Sequence, residues 1–360
     1  FGIPLFPVLM NPRHFFIRIL LATLLCVGAL YALAWWLQPV YGDLVRIGGH
    51  AEREFGWNAP MFEFSPLEAT WGGDSYSRAV DVLVLGDSFA NLRPPMQWQN
   101  RLAALTGWRI HTLDKHHVDI DRLLDSPLFR DRPPRVVIWN TIERDLRDEY
   151  ADNDGRCAPH VPSVASLVLP VRASGAQPRA FMRPRGVDGI NPGHARAWLW
   201  KNLLRDHTGL YRGDTLHLRL KRADLFSSRD SRGLLIYRLD LLKGDWRDTD
   251  LDRTRCSFAS MAARFERNGV TRFVTALAPD KSSAYRPWLV EPAQFPESRL
   301  PALMRGFPVA DARLDLVLAE AIRRGTKDVY MPDDTHWGSA GHDLAAHAIL
   351  KLLADLGLAR

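Results

Sequence analysis

Residues 15–37 read FFIRILLATLLCVGALYALAWWL, an apolar run broken by a single charge, Arg18, near its start. No other feature of the chain restricts its fold so strongly. As a helix rising 1.5 Å per residue, such a run spans a hydrocarbon core of ~30 Å. Arg13 and Arg18 lie at the end thereby biased toward the cytoplasm, and Trp35 and Trp36 stand at the far edge, where interfacial aromatics belong. The competing reading is a secretory signal cleaved at the small-residue site Ala32-Leu33-Ala34. The apolar stretch is long for a signal and bulky Trp residues follow it directly, so an uncleaved anchor is expected. Leu25 before Cys26 argues against a lipoprotein signal. The expected layout is a cytoplasmic N-terminus (1–14), a transmembrane anchor (15–38), a lead-in stalk (39–78) and an exported domain (79–360) with an insertion around 150–252.

The remainder has the composition of a folded protein. Hydrophobic residues make up 46% and charged ones 24%, which excludes a largely disordered chain and a polytopic membrane protein. The balance of 47 basic against 41 acidic residues gives +6, with no massed basic run, so no nucleic-acid partner is expected. Cys157 and Cys256 are the cysteines outside the apolar run. An oxidising compartment permits a disulfide between them, with two buried free thiols as the alternative.

Along the exported part, residues 79–85 form an apolar run ending in Gly86-Asp87-Ser88, the pattern of a buried strand opening into a turn. Further strands are expected at 108–113, 135–139, 272–278 and 328–331, and helices at 95–106, 118–124, 194–205, 255–268, 310–324 and 339–356. Strands alternating with helices predict an α/β fold, a central parallel sheet with helices on both faces.

Ser88 sits where a parallel sheet presents its carboxyl edge, the place where ligands bind in such folds. Backbone N–H groups of the following turn are available to a developing oxyanion. A serine hydroxyl needs a nearby base. Near the other end of the chain, Pro332-Asp333-Asp334-Thr335-His336-Trp337 offers one: an Asp two or three residues before a His can bond one ring nitrogen and leave the other to face the hydroxyl. Gly-Asp-Ser alone is a common turn, and Asp-x-His alone is weaker. Their joint placement, at the first strand end and before the last helix, is the sharper signal.

GDSFA near the start of the domain and DDTHW near its end resemble the SGNH (GDSL-like) hydrolase superfamily. DTHW, the segment VVIWNTIERDL and the segment APDKSSAY resemble its alginate O-acetyltransferase type. The Ser-first order follows ordinary SGNH hydrolases and departs from the alginate type, in which the Asp-His block comes first; Lys115-His116-His117 occupy the loop where the superfamily has its second-block Gly, and the third-block Asn is replaced, with Glu143-Arg144 near its place. The resemblance implies a three-layer SGNH sandwich, Ser88 as nucleophile and His336 as general base and acid. Asp334 fits the alginate-type spacing and is preferred as third member, with Asp333 the alternative. The Ser88 amide with a group from the His116 loop or Arg144 would bind the oxyanion, and Lys281, Tyr285 and Trp337 would contact substrate.

The implied activity is a periplasmic O-acetyltransferase held in the bacterial inner membrane, acting on an exported polysaccharide. A multi-span membrane-bound O-acyltransferase would supply the acetyl group. No cofactor and no metal are expected, since His111, Asp114, His116 and His117 match no closed ligand spacing. A carbohydrate esterase of the same fold and a non-catalytic glycan-binding assembly subunit are the alternatives.

Overall fold

The structure, a computed structural model, describes residues 12–64, 69–73, 75–91, 96–151, 168–182, 189–205 and 214–360. Its first element is the helix Pro12–Trp36, long and apolar enough to cross a membrane. Its last turns are not followed by a free stalk. Leu30, Leu33, Ala34 and Leu37 form one stripe that packs with Ala51, Ala195 and Trp198, and the Trp36 ring meets Trp198 edge-on at 6.0 Å. The helix Pro192–Trp200 therefore lies against the end of the apolar helix.

Five parallel strands make the central sheet, in the order Thr70–Gly72, Ile110–Asp114, Val82–Gly86, Val136–Ile142 and Arg272–Ala278. The strand side chains alternate between two apolar clusters. Val82, Val84, Val136, Ile138, Val274 and Ala276 enter one, with Trp98, Leu318 and Ile349 from helices. Leu83, Leu85, Val137, Trp139, Phe273 and Leu277 enter the other, with Phe258 and Phe265 of the helix Asp248–Glu266. Burial on both faces is why residues 82–85 and 136–139 read as unbroken apolar runs.

Two expectations are corrected. The fifth strand is Thr70–Gly72, from the stretch expected to be a stalk, and it pairs with Ile110–Asp114. Residues 328–331 add no strand to the sheet: their recorded pairing is one antiparallel bridge between Tyr330 and Trp337. Asp328 enters in the left-handed region, with φ 51, and Pro332 follows, so the chain turns back at once. Met331 N–H closes that turn on the His336 carbonyl at 3.0 Å. Among the described residues, part of the expected 150–252 insertion joins the core. Its hairpin, Thr215–Arg219 with Gly233–Tyr237, places Leu234 and Ile236 in the main core and Leu235 against Leu44 and Val45. Cys256 is disulfide-bonded; Cys157 lies outside the described residues.

Phe273 is 1% exposed, stacked on Phe265 at 5.4 Å and tilted against Trp139 at 6.3 Å. Phe273→Ala is expected to cost about 3–5 kcal/mol in urea unfolding. A loss below about 1 kcal/mol would contradict this packing.

Candidate functional site

The strand Val82–Gly86 ends in a turn that leaves no room at Gly86: an added Cβ would lie 2.5 Å from Ala90 Cβ. The buried Asp87 pins the turn. One carboxylate oxygen accepts from Phe89 N–H at 2.9 Å, and the other from Ile142 N–H at 2.8 Å on the neighbouring strand. Ser88 is thereby held exposed between buried Asp87 and Phe89.

The turn before the last helix brings its imidazole to that hydroxyl. Ser88 Oγ lies 2.8 Å from His336 Nε2, and His336 Nδ1 lies 2.6 Å from Asp334 Oδ1. The consistent assignment has Nδ1–H donating to Asp334 while Nε2 accepts from the hydroxyl. The imidazole is wedged against Phe89, ring centroids 4.8 Å apart, and Phe89 meets Trp337 edge-on at 4.9 Å. Burial alone would raise the Asp334 carboxyl, but its hydrogen bonds with His336 and the imidazole's charge hold it below the usual carboxylate range. Asp333 is buried too, yet its recorded bonds to the site run through its backbone carbonyl, which accepts from Leu44 and Val45 N–H at 3.1 and 3.2 Å. Of the two acids the sequence offered, Asp334 is the one bonded to the imidazole.

Two clamps fix this turn. On one side, Lys281 Nζ donates to the carbonyls of Met331, Pro332 and Asp334 at 2.8, 3.0 and 3.0 Å. Lys281 is 1% exposed, and burial pushes its ammonium down to about 8 against the pull of Asp333 and Asp334. On the other side sits the helix Asp43–Gly48. Asp43 N–H donates to Asp334 Oδ2 at 3.2 Å, while the Asp43 carboxylate accepts from Thr335 N–H at 2.9 Å and Thr335 Oγ at 2.7 Å. Gly42 lets the two segments meet: an added Cβ would lie 2.1 Å from the Asp333 carbonyl oxygen.

Several expected contacts are corrected. Lys281 braces the turn from inside and presents no charge to a substrate. Tyr285 is fully buried, its hydroxyl accepting from Tyr330 N–H at 3.4 Å. Trp337 is fully buried core. Arg144 is committed to carboxylates, with Asp240 at 3.3 Å, Asp280 at 3.7 Å and Asp145 at 3.8 Å. His116 is half exposed beside Glu149, and among the described residues no hydrogen bond joins it to Ser88. The histidine-rich stretch does not converge either. His111 turns into the protein, 3.0 Å from the Ser75 carbonyl and against Trp71, and burial pushes it down to about 4. Among the described residues, the potential ligand group that does converge is Asp43, Asp334 and His336. Each of those side chains is already hydrogen-bonded within the site.

Asp43 was missed by sequence reasoning. It lies 291 positions from Asp334, in a stretch without periodicity, and no motif marks it.

Lys281→Met would take the ammonium from three carbonyls, leaving those of Pro332 and Asp334 without it while Met331's keeps the Asp334 N–H at 3.3 Å, and is expected to destabilise the fold by roughly 2–4 kcal/mol. Circular dichroism with urea titration measures this, and an unchanged midpoint would show that the turn does not need the clamp. Compared with family models, curated proteins and solved structures, the chain matches none of them.

Proposed function

We propose that the chain is an O-acetyltransferase that moves an acetyl group, through an ester on Ser88, onto hydroxyls of an exported polysaccharide. The observation that carries the reading is the chain of contacts from Ser88 Oγ to His336 Nε2 and from His336 Nδ1 to Asp334, at 2.8 and 2.6 Å. Ser88 Oγ attacks the donor's carbonyl carbon while its proton passes to Nε2. The imidazolium forms against the Asp334 carboxylate and then gives the proton to the leaving group. A sugar hydroxyl enters in its place, loses its proton to Nε2, and attacks the acetyl carbon. The acetyl ester moves to the sugar, and Ser88 Oγ recovers its proton. In this scheme the Ser88 amide belongs to the oxyanion site.

The parallel sheet with apolar clusters on both faces and a serine at a strand's carboxyl end supports a three-layer SGNH-like architecture. The exposed apolar helix supports a single-pass anchor, with Arg13 and Arg18 at the cytoplasmic end and the domain on the far side of a bacterial inner membrane. Acetyl-CoA is not expected there, so a multi-span membrane-bound O-acyltransferase would deliver the acetyl group. One observation favours a second reading. Ser88 is exposed, so water can also reach the acyl-enzyme, and esterase activity is expected whenever no glycan hydroxyl is present.

Ser88→Ala and His336→Ala are each expected to lower acetyl transfer about 10⁴-fold or more, and the double variant scarcely further. Asp334→Asn should cost more than Asp333→Asn in kcat. Acetyl release from an activated ester, with and without polysaccharide, measures both the transfer and the hydrolytic branch. Full activity in Ser88→Ala would end this reading.

A further inference from the structure

Asp43 opens the helix Asp43–Gly48, shortly after the apolar helix ends at Trp36. Its carboxylate holds both the N–H and the hydroxyl of Thr335, the residue between the Asp334 and His336 positions. Thr335 Oγ in turn lies 3.2 Å from His336 Nδ1, and Asp43 Oδ2 lies 3.9 Å from the same nitrogen. Asp43 N–H takes the second oxygen of Asp334, so both carboxylates and the imidazole share one hydrogen-bonded frame.

We infer that Asp43 is a positioning residue of the acyl-transfer site, holding Thr335 and through it the Asp334–His336 pair in the geometry that activates Ser88. The inference rests on the acyl-transfer reading above.

Its environment argues against a purely structural carboxylate. Burial, and after it the charge of Asp334, push the Asp43 carboxyl up to about 6, opposed by His336 and the Thr335 bonds. Lys281 feels the Asp43 charge from the other side of the turn, together with Asp333 and Asp334. For an acid raised in this way, the stabilising contribution is complete below its ordinary value of 3.8 and is lost as pH rises through about 6. The protein thus keeps a second ionised carboxylate beside Asp334 at neutral pH, at a cost to folding. Negative charge near Nδ1 favours the imidazolium formed when His336 takes the Ser88 proton. Asp43 also ties the site to the chain leaving the apolar helix. From Trp36 to Asp43 there are 43 − 36 = 7 steps, so at no more than ~3.6 Å each the two lie within about 25 Å.

The test uses full-length protein in detergent and a fluorophosphonate probe, which reads Ser88 nucleophilicity without needing an acetyl donor or glycan. Peptide mapping gives the labelling rate at Ser88 between about pH 4.5 and 8.5. Wild-type labelling should fall on the acid side more steeply than one proton requires, because Asp43 takes up a proton of its own as pH drops through about 6. Asp43→Asn should label about 10- to 100-fold more slowly, with an acid limb that follows one proton. Wild-type protein that never labels at Ser88 overturns the acyl-transfer reading itself. Wild type that labels, with an Asp43→Asn variant equal in rate and in acid limb, overturns the role of Asp43 alone. Should Asp43→Asn fail to fold, Thr335→Val decides: slower labelling with the steeper acid limb retained supports the inference, and an unchanged rate overturns it.

Discussion

A turn of the chain from Met331 to His336 must hold one imidazole where it meets a hydroxyl from the far end of the sequence, and the site depends on how that turn is held. Turns with inward-facing carbonyls are costly to bury, because each oxygen loses water and needs a donor. Here one ammonium serves three of them: Lys281 Nζ collects the carbonyls of Met331, Pro332 and Asp334. The Asp333 carbonyl is taken by two amides of the helix Asp43–Gly48. The turn is thus gripped from both sides by groups remote in sequence. The imidazole and its acid are left as the parts that face Ser88.

The same economy runs along the carboxyl edge of the sheet. Asp87 uses both oxygens to lock the Ser88 turn to the adjacent strand. Beyond it, Glu143, Asp240, Lys243 and Asp280 are fully buried and closely paired, with Lys243 bonded to Asp280 and to the hydroxyls of Ser282 and Ser283. Such a network adds little net stability compared with apolar packing, but it fixes geometry, since any misplacement leaves a charge unsatisfied. The segments following the strands Val136–Ile142 and Arg272–Ala278 are tied to each other in this way, with Asp280 N–H donating to Glu143 Oε2 at 3.2 Å. A separate apolar cluster packs the helix Pro192–Trp200 against the end of the chain's first helix.

The parts legible in the sequence were those that local chemistry dictates. Two-sided burial makes the strands Val82–Gly86, Val136–Ile142 and Arg272–Ala278 largely apolar, and periodicity marks the helices Trp98–Thr106, Leu314–Arg323 and Ser339–Asp355 to within four residues of their ends, whereas the helix Asp248–Glu266 begins seven residues before the expected 255 because its first two turns are polar. The short Thr70–Gly72 edge escaped because three residues carry no period, and the 328–331 run misled because Asp328 and Pro332 stop extension without altering its apolar look. At the site, Ser88, His336 and the choice between Asp334 and Asp333 could be posed from motif spacing. Lys281 and Tyr285 were noticed but misassigned, since sequence shows that a residue is polar and not which way it faces. Asp43 was illegible: its partner lies at the other end of the chain, and only the fold brings them together.

The central claim is that His336 donates from Nδ1 to Asp334 while Nε2 accepts from Ser88. Proton and nitrogen NMR of selectively labelled histidine tests it most directly, through the resonances of that one ring. The account predicts a low-field Nδ1–H signal that disappears in His336→Gln and Asp334→Asn and survives in Asp333→Asn, with an Nε2 shift that responds to Ser88→Ala. A ring protonated on Nε2 instead, or a spectrum indifferent to both Asp334 and Ser88, would contradict it.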